Sequence, residues 1–186
     1  MINLSNLGYK QSPPDDRDLK LNVNLSIPKT FSIPRLKIID QGNQPHCAAA
    51  SIATVLSALN RKADHVELFK ILCGTVDGII LRDAFKIMKA DAKITKYYRL
   101  GSEINIKSGI MLFGGVIIGL RCYNDSAVFW KGSQLLGGHA VTLTGWEKDG
   151  FILQNSWGTS WGKNGITIFP FSDINHIREA WAIHVI

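Results

Sequence analysis

With 186 residues, 46% hydrophobic and 19% charged, the chain has the length and balance of one globular domain, which excludes a disordered or fibrous polymer. Its 21 basic and 15 acidic residues leave a formal charge of +6, but no run of five Lys or Arg marks a nucleic-acid tract, so the surplus reads as a solvated surface and no nucleic-acid partner is expected. The longest apolar stretch, residues 109–120, is 12 residues long, whereas a helix needs about 20 to cross a bilayer; it reads as core, and no membrane partner is expected.

Residues 1–40 are loop-like. Pro13, Pro14, Pro28 and Pro34 punctuate them and Asp15, Asp16, Arg17 and Asp18 form a polar cluster, so an extended strap over residues 1–35, lying on the domain surface, is expected. The opening residues carry no charged-then-apolar leader, and Cys47, Cys73 and Cys122 are an odd number of thiols. Both point to a reducing, cytoplasmic compartment. Richness in Ile, Lys and Asn suggests an AT-rich bacterial or phage genome.

The first helix signal is CAAASIATVLSALNRK, residues 47–62, in which Cys47, Ala50, Ala53 and Leu56 share a face and Arg61 and Lys62 close the end. Shorter helices are predicted near 65–72 and 82–89. The second half changes character: 115–120, 139–145, 150–154, 165–169 and 180–186 are short, β-rich and separated by Gly-containing turns. Helices first and strands afterwards predict an α+β protein of two packed lobes, a helical lobe over about 36–100 and a β lobe over about 101–186, within a single domain.

Three residues carry chemistry. Cys47 opens a predicted helix, where unpaired N–H groups favour a thiolate, although a lone helical cysteine is also an ordinary core residue. His139 follows Gly137 and Gly138, which let backbone approach closely, and Asn155 follows a strand, the alternative there being that it merely ends that strand by a side-chain turn. His46, beside Cys47, reads as solvated and inert, the alternative being that it tunes the thiol when protonated. Paired zinc-ligand spacings are missing, so no metal and no cofactor are expected.

Read with their neighbours, Gln41-Gly-Asn-Gln-Pro-His-Cys47, Gly138-His139-Ala140 and Asn155-Ser-Trp-Gly-Thr-Ser-Trp-Gly162 resemble, in the same order, the blocks of the papain-like cysteine proteases. The likeness covers about residues 28–186, including Asp77 to Phe85, and is thin over 90–135. It implies a papain-like two-lobe fold, with a helical first lobe, an antiparallel β-barrel-like second lobe and an active-site cleft between them.

The resemblance further implies Cys47 as nucleophile, His139 as its ion-pair partner and general acid, Asn155 as the orienter of His139 and Trp157 as a shield for that bond. Gln41 and the Cys47 N–H would form the oxyanion hole. Gly78 would bind an extended polypeptide substrate, and Ile79 or Ile80, opposite Gly137 and Gly138, would line an apolar pocket for the residue two before the scissile bond. The chain departs from the family at Gln44-Pro-His-Cys47-Ala48, which lacks the usual second cysteine and tryptophan. The segment before Gln41 is too short for a folded inhibitory pro-segment, leaving the surface strap, or else a short occluding peptide. Two rival readings are a catalytically inactive binding module on the same fold, and other Cys–His acyl chemistry such as a deamidase, transglutaminase or isopeptidase.

Overall fold

The computed structural model of the chain describes residues 7–34 and 36–186; residues 1–6 and 35 of the expected strap lie outside the described residues. Two short strands, β1 (Tyr9–Lys10) and β2 (Phe31–Ser32), interrupt an otherwise irregular N-terminal segment. Helix α1 (Cys47–Ala58) follows, then α2 (His65–Ile71), β3 (Ile79–Ile80) and α3 (Leu81–Ala90). The rest is β4 (Ile94–Arg99), α4 (Glu103–Phe113), β5 (Val116–Cys122), β6 (Gly137–Trp146), β7 (Gly150–Gln154), β8 (Ile166–Pro170), a 3-10 turn (Phe171–His176) and β9 (Glu179–Val185).

Helix α1 stops four residues before Lys62, and it is buried on all sides from Cys47 to Leu56 rather than amphipathic. Its small residues Ala48, Ala49, Ala50 and Ser51 make this possible by letting neighbouring backbone approach from every direction. It lies along β6, to which the Thr142 hydroxyl fastens it by donating to the Ser51 carbonyl at 3.2 Å. Helix α2 has a regular start, with the Asp64 carboxylate accepting from the N–H groups of Val66 and Glu67.

The apolar stretch 109–120 is split between two elements. Its first part ends α4, Gly114 closes that helix in the left-handed region at φ 74°, and its second part is the central strand β5. A start signal for α4 stood in the sequence at Ser102, whose hydroxyl accepts from the Asn105 N–H.

Seven strands form one antiparallel sheet in the order β4-β9-β5-β6-β7-β8, with β2 paired to β6. Among the described residues β4 and β8, the ends of the path, do not pair, so the expected antiparallel, barrel-like lobe is an open sheet rather than a closed barrel. Strand β4, expected in the helical lobe, belongs to this sheet, and α4 packs on it from within the expected β lobe. The faces of the sheet serve two cores by strict alternation. Ile117, Ala140, Trp181 and Ile183 join the helices, whereas Val116, Ile118, Val141, Leu143, Ala180 and Ala182 pack under α4 and the Trp/Phe-rich loops.

Candidate active site

The site lies where these two cores meet. Cys47, the first residue of α1, belongs to the helical core, while Trp157 and Phe129, which enclose His139, belong to the other. Ala140, next to His139 on β6, donates its N–H to Cys47 Sγ at 3.4 Å, so strand and helix bring the two predicted reactive residues together. His139 Nε2 lies 2.7 Å from Asn155 Oδ1, and the other ring nitrogen, Nδ1, is buried without a hydrogen-bond partner among the described residues. Trp157 stacks on the imidazole with centroids 4.5 Å apart and planes 22° from parallel. Ser156 N–H also donates to Asn155 Oδ1, which fixes the amide so that its oxygen faces the ring.

Gln41 is buried beside this group. Its Oε1 accepts from the Ser156 hydroxyl at 2.7 Å and its Nε2 donates to the Gln44 carbonyl at 2.7 Å, leaving one amide hydrogen for another acceptor. Phe129 packs edge-on to both His139 and Trp157, at 5.2 and 5.3 Å. It lies in the thin part of the family likeness; the aromatic pair Phe129-Trp130 in a polar loop was the available signal. His46 is buried rather than solvated, 4.2 Å from the Phe69 ring and edge-on to His65, because the tight turn from Gln44 into α1 folds it under α2.

The predicted substrate-binding residues are also gathered, but around the chain's own N-terminal segment. Strand β1 pairs in parallel with β3, in the register Tyr9 to Ile79 and Lys10 to Ile80, and the Ile79 N–H donates to the Gly8 carbonyl at 3.1 Å. Gly78 (φ 94°) meets Gly8 so closely that a Cβ there would stand 2.1 Å from the Gly8 carbonyl carbon. A Cβ on Gly8 itself would stand 1.8 Å from the Pro45 carbonyl oxygen, and one on Gly138 would stand 2.4 Å from the Tyr9 carbonyl oxygen. Ile79 packs with Tyr9 in the helical core, while Ile80 caps α3. Residues 7–12 thus lie in the groove next to Cys47, which suits the short occluding peptide rather than a strap on the surface. The reason is steric: two glycines, Gly8 and Gly78, remove the side chains that would keep the backbones apart.

Burial under this cover sets the charge state of the pair. Burial pushes the Cys47 thiol up to about 11, only partly opposed by N–H groups of Ala140, Gly8, Ala48 and Cys47 itself. Burial likewise pushes His139 down to about 4, against the opposing hydrogen bond from Asn155. Burial under the cover thus favours the neutral form of each member of the pair.

The segment is fastened further along. Arg82 donates from Nε and Nη2 to the two Asp18 oxygens at 2.8 and 2.6 Å, also donates to the Pro13 carbonyl, and Arg99 adds a bond to Asp18 at 3.1 Å. Cys47, Cys73 and Cys122 are all free thiols. Among the described residues no three His, Cys, Asp or Glu side chains gather as a metal-ligand cluster, and no helix is long and apolar enough to cross a membrane.

Comparison with known proteins bears on the family and the fold. The profile of the papain family cysteine proteases matches residues 82–176. The chain is 33% identical over 96 residues to cathepsin B-like cysteine proteinase 3 of Ostertagia ostertagi, a match over 45% of this chain and 55% of that protein. It is 40% identical over 55 residues to an uncharacterised peptidase C1-like protein of Acanthamoeba polyphaga mimivirus, covering 27% and 18% of the two chains. The chain thus spans about half the length, or less, of these curated relatives. Among solved structures, xylellain, a cysteine protease from Xylella fastidiosa, superposes with a TM-score of 0.82 over 100% of this chain and 98% of its own, at 18% identity. Procathepsin B S9 of Trypanosoma congolense gives 0.77 over 98% and 87%, at 14% identity, so these two likenesses speak for the fold.

Proposed function

This chain belongs to the papain family of cysteine proteases, and from that premise we propose that it is a single-domain cysteine endopeptidase that the described form holds latent. The observation that carries the reading is the Cys47–Ala140 contact at 3.4 Å coupled to the His139–Asn155 bond at 2.7 Å, which together put a sulfur nucleophile and an oriented imidazole at one point of the groove.

With residues 7–12 withdrawn, water and substrate reach the pair, desolvation falls, and the proton moves from Cys47 to His139. The thiolate attacks a peptide carbonyl to form a C–S bond. The resulting oxyanion takes hydrogen bonds from the Cys47 N–H and the free Gln41 amide hydrogen, a contribution of about 3–4 kcal/mol per donor where such a donor is preorganised. His139 then gives its proton to the departing amine as the C–N bond breaks, and water, deprotonated by the same imidazole, hydrolyses the thioester. Asn155 keeps the ring in the plane this requires, and Trp157 keeps water from their bond.

Substrate backbone takes the place of β1 along Gly78 and Ile79. The side chain two before the scissile bond enters between Ile79 and Gly138, which favours an apolar body. Latency without self-destruction has a geometric basis. Gly8 presents its N–H to Cys47 Sγ, and the Gly8 oxygen is bound to the Ile79 N–H at 3.1 Å. Three unpaired cysteines suit a reducing, cytoplasmic setting.

The test is to displace the cover with Gly8→Ala, whose new methyl has no room against Pro45, and to follow alkylation of Cys47 together with hydrolysis of a peptide library. Alkylation and hydrolysis are expected to rise at least tenfold over the parent chain, and His139→Ala in the same background to lower both by roughly a thousandfold. Alkylation of Cys47 no faster than of the exposed Cys73, with no peptide cleaved, would mean a binding module.

A further inference from the structure

The two guanidinium groups that fasten the N-terminal segment spend their hydrogen bonds on that segment. Arg82, in the first turn of α3, is buried; its Nε and Nη2 donate to the two Asp18 oxygens at 2.8 and 2.6 Å, and Nη2 donates also to the Pro13 carbonyl. Arg99, at the end of β4, reaches the same Asp18 Oδ2 from Nη1 at 3.1 Å. Asp15, also in the segment, stands 4.0 Å from Arg82 Nη1. Both guanidinium groups lie over the Trp181 ring, at 5.8 and 5.3 Å from its centroid, and that ring is itself held by its indole N–H on Glu179 at 2.9 Å.

Three N–H donors therefore converge on one carboxylate, and the wall that carries them stays when the segment withdraws. Of the acidic side chains acting on Arg82, Asp15 and Asp18 leave with the segment and Glu179 remains. Two positive charges then face one negative charge. A buried charge stripped of its acceptors is costly, so the withdrawn form is stabilised by a ligand that returns them. The donor set defines that ligand. Nε and Nη2 of Arg82 make a flat fork that fits two oxygens on one atom, and Arg99 adds a second positive charge at one of those oxygens. This geometry suits a carboxylate, sulfate or phosphate, and a single halide ion cannot fill it.

We infer that Arg82 and Arg99 form an oxyanion-binding site, occupied by Asp18 in the described form, and that a free oxyanion taking the place of Asp18 releases the segment and uncovers Cys47. The ligand binds where Asp18 has left, so it draws the population toward the uncovered form by mass action, and the segment opposes the ligand to the same degree. Pro13 directly follows the residues that cover Cys47, so loss of its bond to Arg82 frees the chain at the edge of the groove. The inference rests on the proposal that the segment withdraws, but on no cleavage step.

The experiment alkylates the parent chain with iodoacetamide, a neutral reagent, and compares Cys47 with the exposed Cys73 in the same sample. Sodium sulfate, or the amide of N-acetyl-aspartate, is added in rising amounts, with sodium chloride at equal ionic strength as the reference. Screening weakens the Asp18 pairs alike in all three, and sulfate in general favours compact states, so neither effect imitates a sulfate-specific release. Alkylation of Cys47 is expected to rise at least roughly fivefold with sulfate and to saturate, while chloride at the same ionic strength does not reproduce it. The aspartate derivative separates the sources: a response to it as well assigns the site to acidic polypeptides, and a response to sulfate alone assigns it to small inorganic oxyanions. A saturable response to neither overturns the inference.

A second measurement reads binding without alkylation. In Asp18→Ala the site has no internal competitor, so sulfate should raise the thermal midpoint with half-saturation at a concentration at least roughly tenfold below that in the parent alkylation series. Adding Arg99→Gln should remove the saturable part of that rise and leave the general salt effect. If Asp18→Ala does not fold, Asp18→Asn, which keeps an oxygen for Arg82 and drops the charge, serves in its place. Equal half-saturation in variant and parent, or an undiminished response with Arg99→Gln, overturns the inference. A chain that cuts no peptide yet responds to sulfate in these ways keeps the anion site and loses the peptidase reading.

Discussion

Residues 7–21 and residues 22–30 are consecutive stretches of one extended segment, yet the first buries Gly8, Tyr9, Ser12, Asp18 and Leu21 while the second buries nothing. The first exchanges backbone bonds with β3 and with Arg99, places a carboxylate between two guanidinium groups and fits a ring over a glycine. The second touches the body of the protein through Ile27, which packs at the edge of the second core, and through the Pro28 carbonyl, which accepts from the Trp146 indole at 3.1 Å. The contrast shows that an irregular segment of one composition can be half plug and half leash, and that specific contacts rather than hydrophobicity decide which is which.

The comparison breaks most sharply at Asp18. Asp18→Ala leaves Arg82, whose side chain is only 6% exposed, with only the longer Asp15 contact at 4.0 Å in place of its hydrogen-bonded partner; breaking a comparable buried pair costs up to roughly 3–5 kcal/mol. The plug is expected to leave rather than the domain to unfold. Limited proteolysis should therefore cut within residues 7–21, and hydrolysis should rise as it does in Gly8→Ala; a variant still protected there and inactive would mean that the ion pair does not hold the plug.

A somewhat smaller effect is expected from pH. His139 titrates at about 4 under the plug and at 6.5 ordinarily, so between these values the unfolded chain binds a proton that the covered state refuses. The covered state must lose stability as pH falls from 6.5 to 4, by about 3 kcal/mol from this residue. On the alkaline side Cys47, raised from 9.0 to about 11, makes stability fall as pH rises between those values. Denaturant midpoints at pH 7 and pH 4, compared between the parent chain and His139→Gln, isolate the acid slope; equal slopes would refute it. The smallest effect belongs to the leash: Val23→Ser, on a side chain already 39% exposed, should change neither stability by more than about 0.5 kcal/mol nor latency, as thermal melting and the alkylation rate would show.

What was legible in the sequence follows the range of the interactions involved. Gln41, Cys47, His139 and Asn155 stand in local blocks whose spacing is itself informative, and the structure brings all four together. Strands β5 to β9 announced themselves by β-branched runs between glycines. Helix α4 was hidden because its apolar residues run without a break into those of β5, so that only Gly114 and Gly115 divide two elements of different period. The plug stands in the sequence only as the second alternative for its segment, because Gly8 has meaning only against Pro45 and Gly78, partners far away in the chain that no local pattern links to it.

The leash has a kinetic consequence. Nine residues separate Leu21 from β2, which is pinned to β6, so a plug that lets go stays within reach of the groove it left. For short flexible connections of this sort the local concentration of the departed end is of millimolar order. Any peptide seeking Cys47 must outcompete that permanent neighbour, so turnover should respond to substrate abundance with a threshold, negligible where peptides are scarce and rising once they rival the tethered end, and severing the leash would erase it.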